Sequence, residues 1–157
     1  MRVKRVKKEL LSSDPLYQNR PVTRLINRVM RSGKKGVAQR QVYKAFEIIK
    51  KEGEDPVKVF ELAVATVGPK MEVRPRRIGG ASYQIPIEVR GDRRIALAIR
   101  WIVAFAGRRS SKDFKTYAEK LAAELRDCAK GVGEAIKKRD TVLRMAEANR
   151  AFAHFKW

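Results

Sequence analysis

Cysteine and histidine are nearly missing from this chain, with one of each in 157 residues, Cys128 and His154. A lone thiol closes no internal disulfide, which suits a reducing compartment. Two such ligands fall short of any zinc site. Long apolar runs are also lacking: none approaches the ~18 residues of a membrane span. Met1-Arg2-Val3-Lys4-Arg5 leads into no signal-peptide core, so the expectation is a soluble protein that is not secreted. His154 sits among aromatics without a Ser or Cys nucleophile motif, and a packing or surface-contact role is expected of it rather than catalysis. Cys128, beside alanines at a helical position, reads as a buried structural thiol. Ser32-Gly33-Lys34-Lys35-Gly36 lacks the upstream glycine and the Lys-Ser/Thr order of a phosphate loop. The acids alternate with Lys and Arg as i,i+4 partners rather than forming a catalytic pair. The sequence thus argues against an enzyme, a cofactor, a metal, a small-molecule substrate and a membrane.

Negative charge is the other scarcity. Seventeen Asp and Glu face 37 Lys and Arg, a net charge of +20. A chain so charged repels itself and works best bound to acidic material. The imbalance is segregated. Arg2, Lys4, Arg5, Lys7 and Lys8 occur before the first acid, and eight bases with no acid lie between Asp14 and Glu47. Residues 47 to 69, by contrast, hold five acids against three bases. A solvated face mixes signs, so these single-sign stretches read as a nucleic-acid footprint.

The 44% hydrophobic content excludes a wholly disordered protein. The length fits one domain, burying roughly 70% of its unfolded surface. The fold class expected is mainly α: one domain of about six helices, a protruding β-hairpin arm and a basic N-terminal tail. Residues 1 to 13 form the flexible tail and residues 14 to 157 the helical domain, with the arm at about 71 to 90. Asp14-Pro15 marks a turn. Helices are expected over Pro21 to Met30, about Ala38 to Lys51, Val57 to Val67, Asp92 to about Ala106, about Asp113 to Ala129, and Glu134 to about Asn149. Val22, Leu25, Ile26, Val29 and Met30 stripe the first, and Arg20, Arg24, Arg28 and Arg31 cluster opposite. Asp92 caps the fourth and Gly107 stops it. Its interior, IALAIRWIVAFA, is apolar on nearly every side, so it is expected to be the central buried helix, with Trp101 in the core.

MEVRPRRIGGASYQIPIEVR, residues 71 to 90, reads as two strands around glycine. A three-residue loop, Gly79-Gly80-Ala81, puts Met71, Val73, Tyr83, Ile85, Ile87 and Val89 on one face, whereas a two-residue turn splits them. The hydrophobic pattern favours the odd loop. Pro75 and Pro86 each remove a ladder donor and argue against a central strand. Arg74, Arg76 and Arg77 make the arm basic, and Tyr83 suits either base stacking or packing at the hairpin base. Further candidates are Arg28 and Arg31 on the first helix, Lys34 and Lys35 before the second, and the loop cluster Arg108, Arg109 and Lys112. Several basic patches around a tail and an arm suit a folded RNA better than regular duplex DNA. Composition alone goes no further than an RNA- or DNA-binding helical domain.

Three segments carry a resemblance. The hairpin from Glu72 to Arg90 resembles that of the small-subunit ribosomal protein seven family. The run Met145-Ala146-Glu147-Ala148-Asn149-Arg150-Ala151-Phe152-Ala153-His154 is similar to that family's bacterial C-terminus. Leu25-Ile26-Asn27 with Gly33-Lys34-Lys35 resembles its first helix and loop. The resemblance implies a structural constituent of the small ribosomal subunit that binds the 3′ head domain of 16S-type ribosomal RNA and starts head assembly. It implies an RNA surface over Arg2 to Lys8, Arg24 to Lys35, Arg74 to Arg77, and Arg93 with Arg94. It also puts Gly79, Gly80, Ser82, Tyr83, Arg144, Asn149 and Arg150 near exit-site transfer RNA and messenger, with ribosomal proteins nine and eleven as neighbours. Some members repress their own messenger. The implied location is a ribosome in the cytoplasm, an organellar one staying open. Phe155-Lys156 stands where Tyr-Arg is usual, Pro21-Val22 replaces an aliphatic pair, and the loop from Gly107 to Lys115 differs. The rival readings are a DNA-compacting architectural protein and a stand-alone messenger repressor.

Overall fold

The computed structural model describes residues 11–155, so the expected basic residues Arg2, Lys4, Arg5, Lys7 and Lys8 lie outside the described residues. Six α-helices run in chain order: α1 (Arg20–Val29), α2 (Lys35–Lys51), α3 (Pro56–Val67), α4 (Gly91–Arg108), α5 (Tyr117–Ala129) and α6 (Glu134–Ala148). Strands β1 (Met71–Ile78) and β2 (Ala81–Glu88) interrupt them after α3, and a 3₁₀ turn, Arg150–Phe155, follows α6. The mainly helical architecture with one hairpin arm is as the sequence implied.

Local chemistry sets the helix starts. Asn19 accepts from the Val22 amide and Pro21 supplies a fixed φ at the start of α1. Asp55 and Pro56 do the same for α3. α2 begins three residues before the expected Ala38, because Ser32 and Gly33 both adopt left-handed φ and turn the chain at once. α5 begins later than the expected Asp113: Thr116 and Glu119 form a reciprocal capping box that fixes its first turn. Asp92 does not cap α4. Arg90 occupies that position with no side-chain bond, while Asp92 lies in the first turn and pairs with Arg24 at 2.8 Å. Gly107 is inside the helix, which ends at Arg108.

The central helix is α5 and not α4. Seven of its 13 residues are buried, and it packs against α2, α3 and α4. Ala118, Ala122, Ala123 and Cys128 are small enough to let several helices approach at once. Phe46, Phe60, Leu121, Leu125 and Ile102 fill the space between them. α4 instead leaves Ala96, Arg100, Ala104 and Gly107 exposed along one face, and its Trp101 is only half-buried. Alanine is apolar enough to suggest burial in sequence and small enough to tolerate exposure.

The hairpin register also departs from expectation. Ile78 pairs with Ala81 and Met71 with Glu88, so Gly79-Gly80 is a two-residue turn. Both glycines have positive φ, 56° and 90°, the conformation that a tight hairpin turn of type I′ requires. The turn geometry outweighs the one-sided pattern because the arm has no single apolar face to satisfy. Glu72 shares a face with Ile85, yet it is buried, accepting from Arg74 Nε at 2.6 Å and from Arg93 Nη2 at 3.0 Å. Pro86, on the opposite face, is buried as well. Near its base the ribbon is therefore covered on both sides, and the ion pair joins it to α4.

A second ion cluster closes the α4–α5 connection. Arg109 Nε donates to Glu124 Oε2 at 2.7 Å, its Nη2 meets Asp127, and its guanidinium lies 5.6 Å from the Phe114 ring centre. The Arg109 side chain is 19% exposed and that of Glu124 2%. Burial alone would lower the Arg109 pKa, but the two carboxylates outweigh it and raise it. Burial likewise pushes the Cys128 thiol up, with the Glu124 carboxylate adding to it. Near the N-terminus of the described chain, the buried Asp14 accepts from the Leu16 and Tyr17 amides and from the Tyr43 hydroxyl.

Two predictions follow from these clusters. Arg109→Met strands a buried carboxylate and should destabilise the fold by about 3–5 kcal/mol, read as a lower thermal midpoint that Glu124→Gln partly restores. Burial would raise the Glu72 carboxyl, but the bonds from Arg93 and Arg74 hold it below its ordinary 4.5. The depressed value means its contribution is full above pH 4.5 and is lost as pH falls through the folded value. Glu72→Gln should therefore cost about 1 kcal/mol at neutral pH, small because both arginines are half-exposed. It should also remove that part of the acid dependence in hydrogen exchange at the hairpin base, and an unchanged acid profile would count against the anchor.

Candidate nucleic-acid interface

The acids of this chain sort its cations into two groups. In the first, the guanidinium is engaged within the fold. Arg24 meets Asp92, Arg74 and Arg93 meet Glu72, and Arg109 meets Glu124 and Asp127. Arg94 donates to the Gly68 and Ala65 carbonyls, capping the C-terminal end of α3. Gly68 is required there, since a Cβ would come within 2.9 Å of the Arg94 side chain. Of the expected loop cluster, Arg109 therefore turns inward and Arg108 lies 5.3 Å from the Phe105 ring centre. Lys112 is exposed.

The second group makes no salt bridge among the described residues. Arg28 and Arg31 near the end of α1, and Lys34 ahead of α2, line an open groove of about 840 Å³. The opposite wall comes from α4, through Arg100 and Arg108, and from the start of α5, through Lys115 and Lys120. These seven cations share the groove with no carboxylate among its lining residues. Lys120 Nζ reaches Ser111 Oγ at 2.9 Å, a neutral partner that leaves its charge uncancelled. Like charges lining one concavity focus a positive field and draw in polyanions.

Arg28, Arg31, Lys34 and Arg108 were legible in the sequence, and the fold brings them together. Lys35, also expected, begins α2 next to Lys34 and is exposed. Arg100, Lys115 and Lys120 were missed. The available signal was the i,i+4 series Ala96, Arg100, Ala104, which marks an open face on α4. Between the cations lie Val37, Gln41, Val103 and Tyr117. Burial raises the Tyr117 phenol to about 12, against a smaller opposing effect of Arg31, so it stays protonated at neutral pH.

The arm presents a different surface. Arg77 and the exposed Ser82 flank the Gly79-Gly80 tip, and Arg77 Nε lies 3.5 Å from the Gly80 carbonyl. Arg76 pairs across the ladder with Tyr83. The ring of Tyr83 packs 5.2 Å from that of Phe152 in the terminal 3₁₀ turn, so the arm and the C-terminal end of the chain make one continuous surface. Asn149, which donates to the Met145 carbonyl, lines a cleft there of about 400 Å³ with Val73, Gln84 and Trp101. Arg144 is exposed on α6 and Arg150 opens the 3₁₀ turn. Gly79 and Gly80 lie at the far tip of the arm, away from this cleft.

Among the described residues, no group of three or more His, Cys, Asp or Glu side chains is placed to hold a metal. His154 Nδ1 lies 2.7 Å from the Ala151 carbonyl, and Cys128 is buried. No described helix is long and apolar enough to cross a membrane.

Comparison with known proteins converges on one family. The family model described as ribosomal protein S7p/S5e matches residues 1–150. The small ribosomal subunit protein uS7 of Moorella thermoacetica is 56% identical over 154 residues, covering 98% of this chain and 97% of its own length. Its counterpart in Caldicellulosiruptor saccharolyticus is 55% identical over 153 residues, 97% of this chain and 96% of its own. On a match that runs nearly end to end, the chain belongs to the ribosomal protein S7p/S5e family, whose members are ribosome-bound structural constituents of the small subunit and not enzymes.

Proposed function

We propose that this chain binds the 3′ head domain of small-subunit ribosomal RNA and nucleates assembly of the head in the cytoplasm. The groove between α1, α2, α4 and α5 takes the RNA backbone, and the basic N-terminal segment adds electrostatic capture. The observation that carries this reading is seven cations lining one groove without a carboxylate. Each lysine or arginine that neutralises a phosphate releases condensed counterions, and each guanidinium can clamp a phosphate in two places. The engaged arginines have the complementary task of keeping the arm and the α4–α5 connection in place for docking.

In this reading the arm and the C-terminal end of α6 face the exit-site transfer RNA and messenger. Gly79 and Gly80 allow close approach at the tip, while Ser82, Tyr83, Arg144, Asn149 and Arg150 border the path. Ribosomal proteins nine and eleven are the proposed neighbours. The continuity between Tyr83 and Phe152 supports this, because the two segments then present one surface.

With ~8 phosphates neutralised, log affinity for a small-subunit RNA fragment should fall against log salt with a slope of about −6 to −7. Arg28→Ala with Arg31→Ala and Arg100→Ala should weaken binding by more than tenfold, flatten that slope by about 2–3, and leave the helical circular dichroism intact. Equal affinity for duplex DNA at matched salt would favour an architectural DNA protein instead. Failure to co-sediment with small subunits would favour a messenger repressor.

A further inference from the structure

The arm leaves the helical body at the end of α3 and returns to it at the start of α4. Only Gly68-Pro69-Lys70 separates Val67 from β1, and only Val89-Arg90 separates β2 from Gly91. Gly68, Pro69 and Val89 are buried, and the Val89 amide donates to the Lys70 carbonyl at 2.9 Å, which closes the root of the ribbon. The last carbonyls of a helix have no partner inside it, and α3 carries no basic residue in its final turn. Two arginines from other helices take that place. Arg94, in the first turn of α4, donates from Nε to the Gly68 carbonyl at 3.0 Å and from Nη2 to the Ala65 carbonyl at 3.3 Å. Arg139, in α6, donates from Nη1 to the Thr66 carbonyl at 2.8 Å and pairs through Nη2 with Asp140. Arg94 thus ties together the exit and the return of the arm, 26 residues apart in sequence. Arg139 ties the exit to α6, the helix against which β1 packs.

We infer that Arg94 and Arg139 are positioning residues for the RNA-binding arm, a clamp at its root that fixes the angle at which Arg76 and Arg77 meet the RNA. This rests on the RNA-binding reading above. It gives Arg94, for which the resemblance implied an RNA contact, a task inside the fold. Both guanidiniums direct donors onto carbonyls at the negative end of the α3 dipole, where a cation is favoured. Gly68 completes the clamp, because a Cβ there would come within 2.9 Å of Arg94 Cγ and Nε and push the side chain away. Without the clamp the arm pivots about residues 68–70 and 89–90, and ordering it on the RNA weakens binding.

The test measures affinity of the full chain for a small-subunit RNA fragment of the 3′ domain across a salt series, with Arg94→Met, Arg139→Met and Gly68→Ala as variants. Gly68→Ala displaces the Arg94 side chain and keeps its charge. Each variant should bind about fivefold more weakly with its helical circular dichroism intact. The log–log salt slope should stay within about 0.3 of wild type, short of the ~0.7–0.9 that a lost phosphate contact removes. In a background of Arg76→Ala with Arg77→Ala, the same substitutions should cost less than about twofold, because the arm tip then has no cation to aim. Should Arg94→Met unfold, Gly68→Ala carries the comparison. Four results would each overturn the inference: a slope flattened by about 0.7–0.9 in Arg94→Met, Gly68→Ala within about twofold of wild type, losses undiminished in the tip background, or helical circular dichroism lost in Arg94→Met and Gly68→Ala alike. The RNA-binding reading fails differently, by a wild type that does not prefer ribosomal RNA over duplex DNA. A wild type that keeps this preference beside any of the four results removes the clamp alone.

Discussion

Carboxylates are the scarce resource of this protein, and their placement decides where its arginines go. With 17 acids for 37 bases, the fold cannot neutralise its surface. It places acids where an arginine must be held: Glu72 between the arm and α4, Glu124 and Asp127 at the α4–α5 connection, Asp92 beside Arg24. Seven of the cations left over line the groove. A buried carboxylate is costly unless paired, so Glu72 and Glu124 bind their arginines tightly. The same economy leaves Arg28, Arg31 and Arg100 without an opposing charge, their mutual repulsion relieved only by a polyanion.

Packing makes that separation possible. α5 can sit at the centre because alanines and Cys128 let α2, α3 and α4 approach closely. With α5 in the middle, α4 moves to the periphery and turns Ala96, Arg100 and Ala104 outward. The cation at Arg100 is thereby set across the groove from those of α1. A tight glycine turn gives the arm its register, while Glu72 and the terminal aromatic contact give it its direction. The end of the chain and the arm thus share a surface although about 70 residues separate Tyr83 from Phe152.

Much of this was readable from residues. The stripe of Val22, Leu25 and Ile26, the proline at the start of α1 and the hairpin itself all follow local rules of spacing and turn chemistry. Three features resisted. The hairpin register followed the φ values of Gly79 and Gly80 rather than the apolar alternation, because an arm covered on both sides near its base does not need one apolar face. The identity of the central helix depended on shape, which composition does not weigh: alanine reads as buried in α4 and serves equally well in the open. Pairing of arginines across long sequence separations was also hidden. Arg24 and Arg28 are equivalent by helical spacing, yet Asp92, 68 residues away, engages only Arg24. The basic residues before position 11 lie outside the described residues and stay a matter of sequence.

That contrast gives the most direct test of the division between held and free arginines. Salt dependence of RNA affinity should be compared for Arg24→Met and Arg28→Met, two substitutions one turn apart on the same helix. The account predicts that Arg28→Met flattens the log–log slope by about 0.7–0.9, the release from one phosphate contact, while Arg24→Met leaves it unchanged. Equal flattening by both would contradict the claim that the acids decide which arginines meet the RNA.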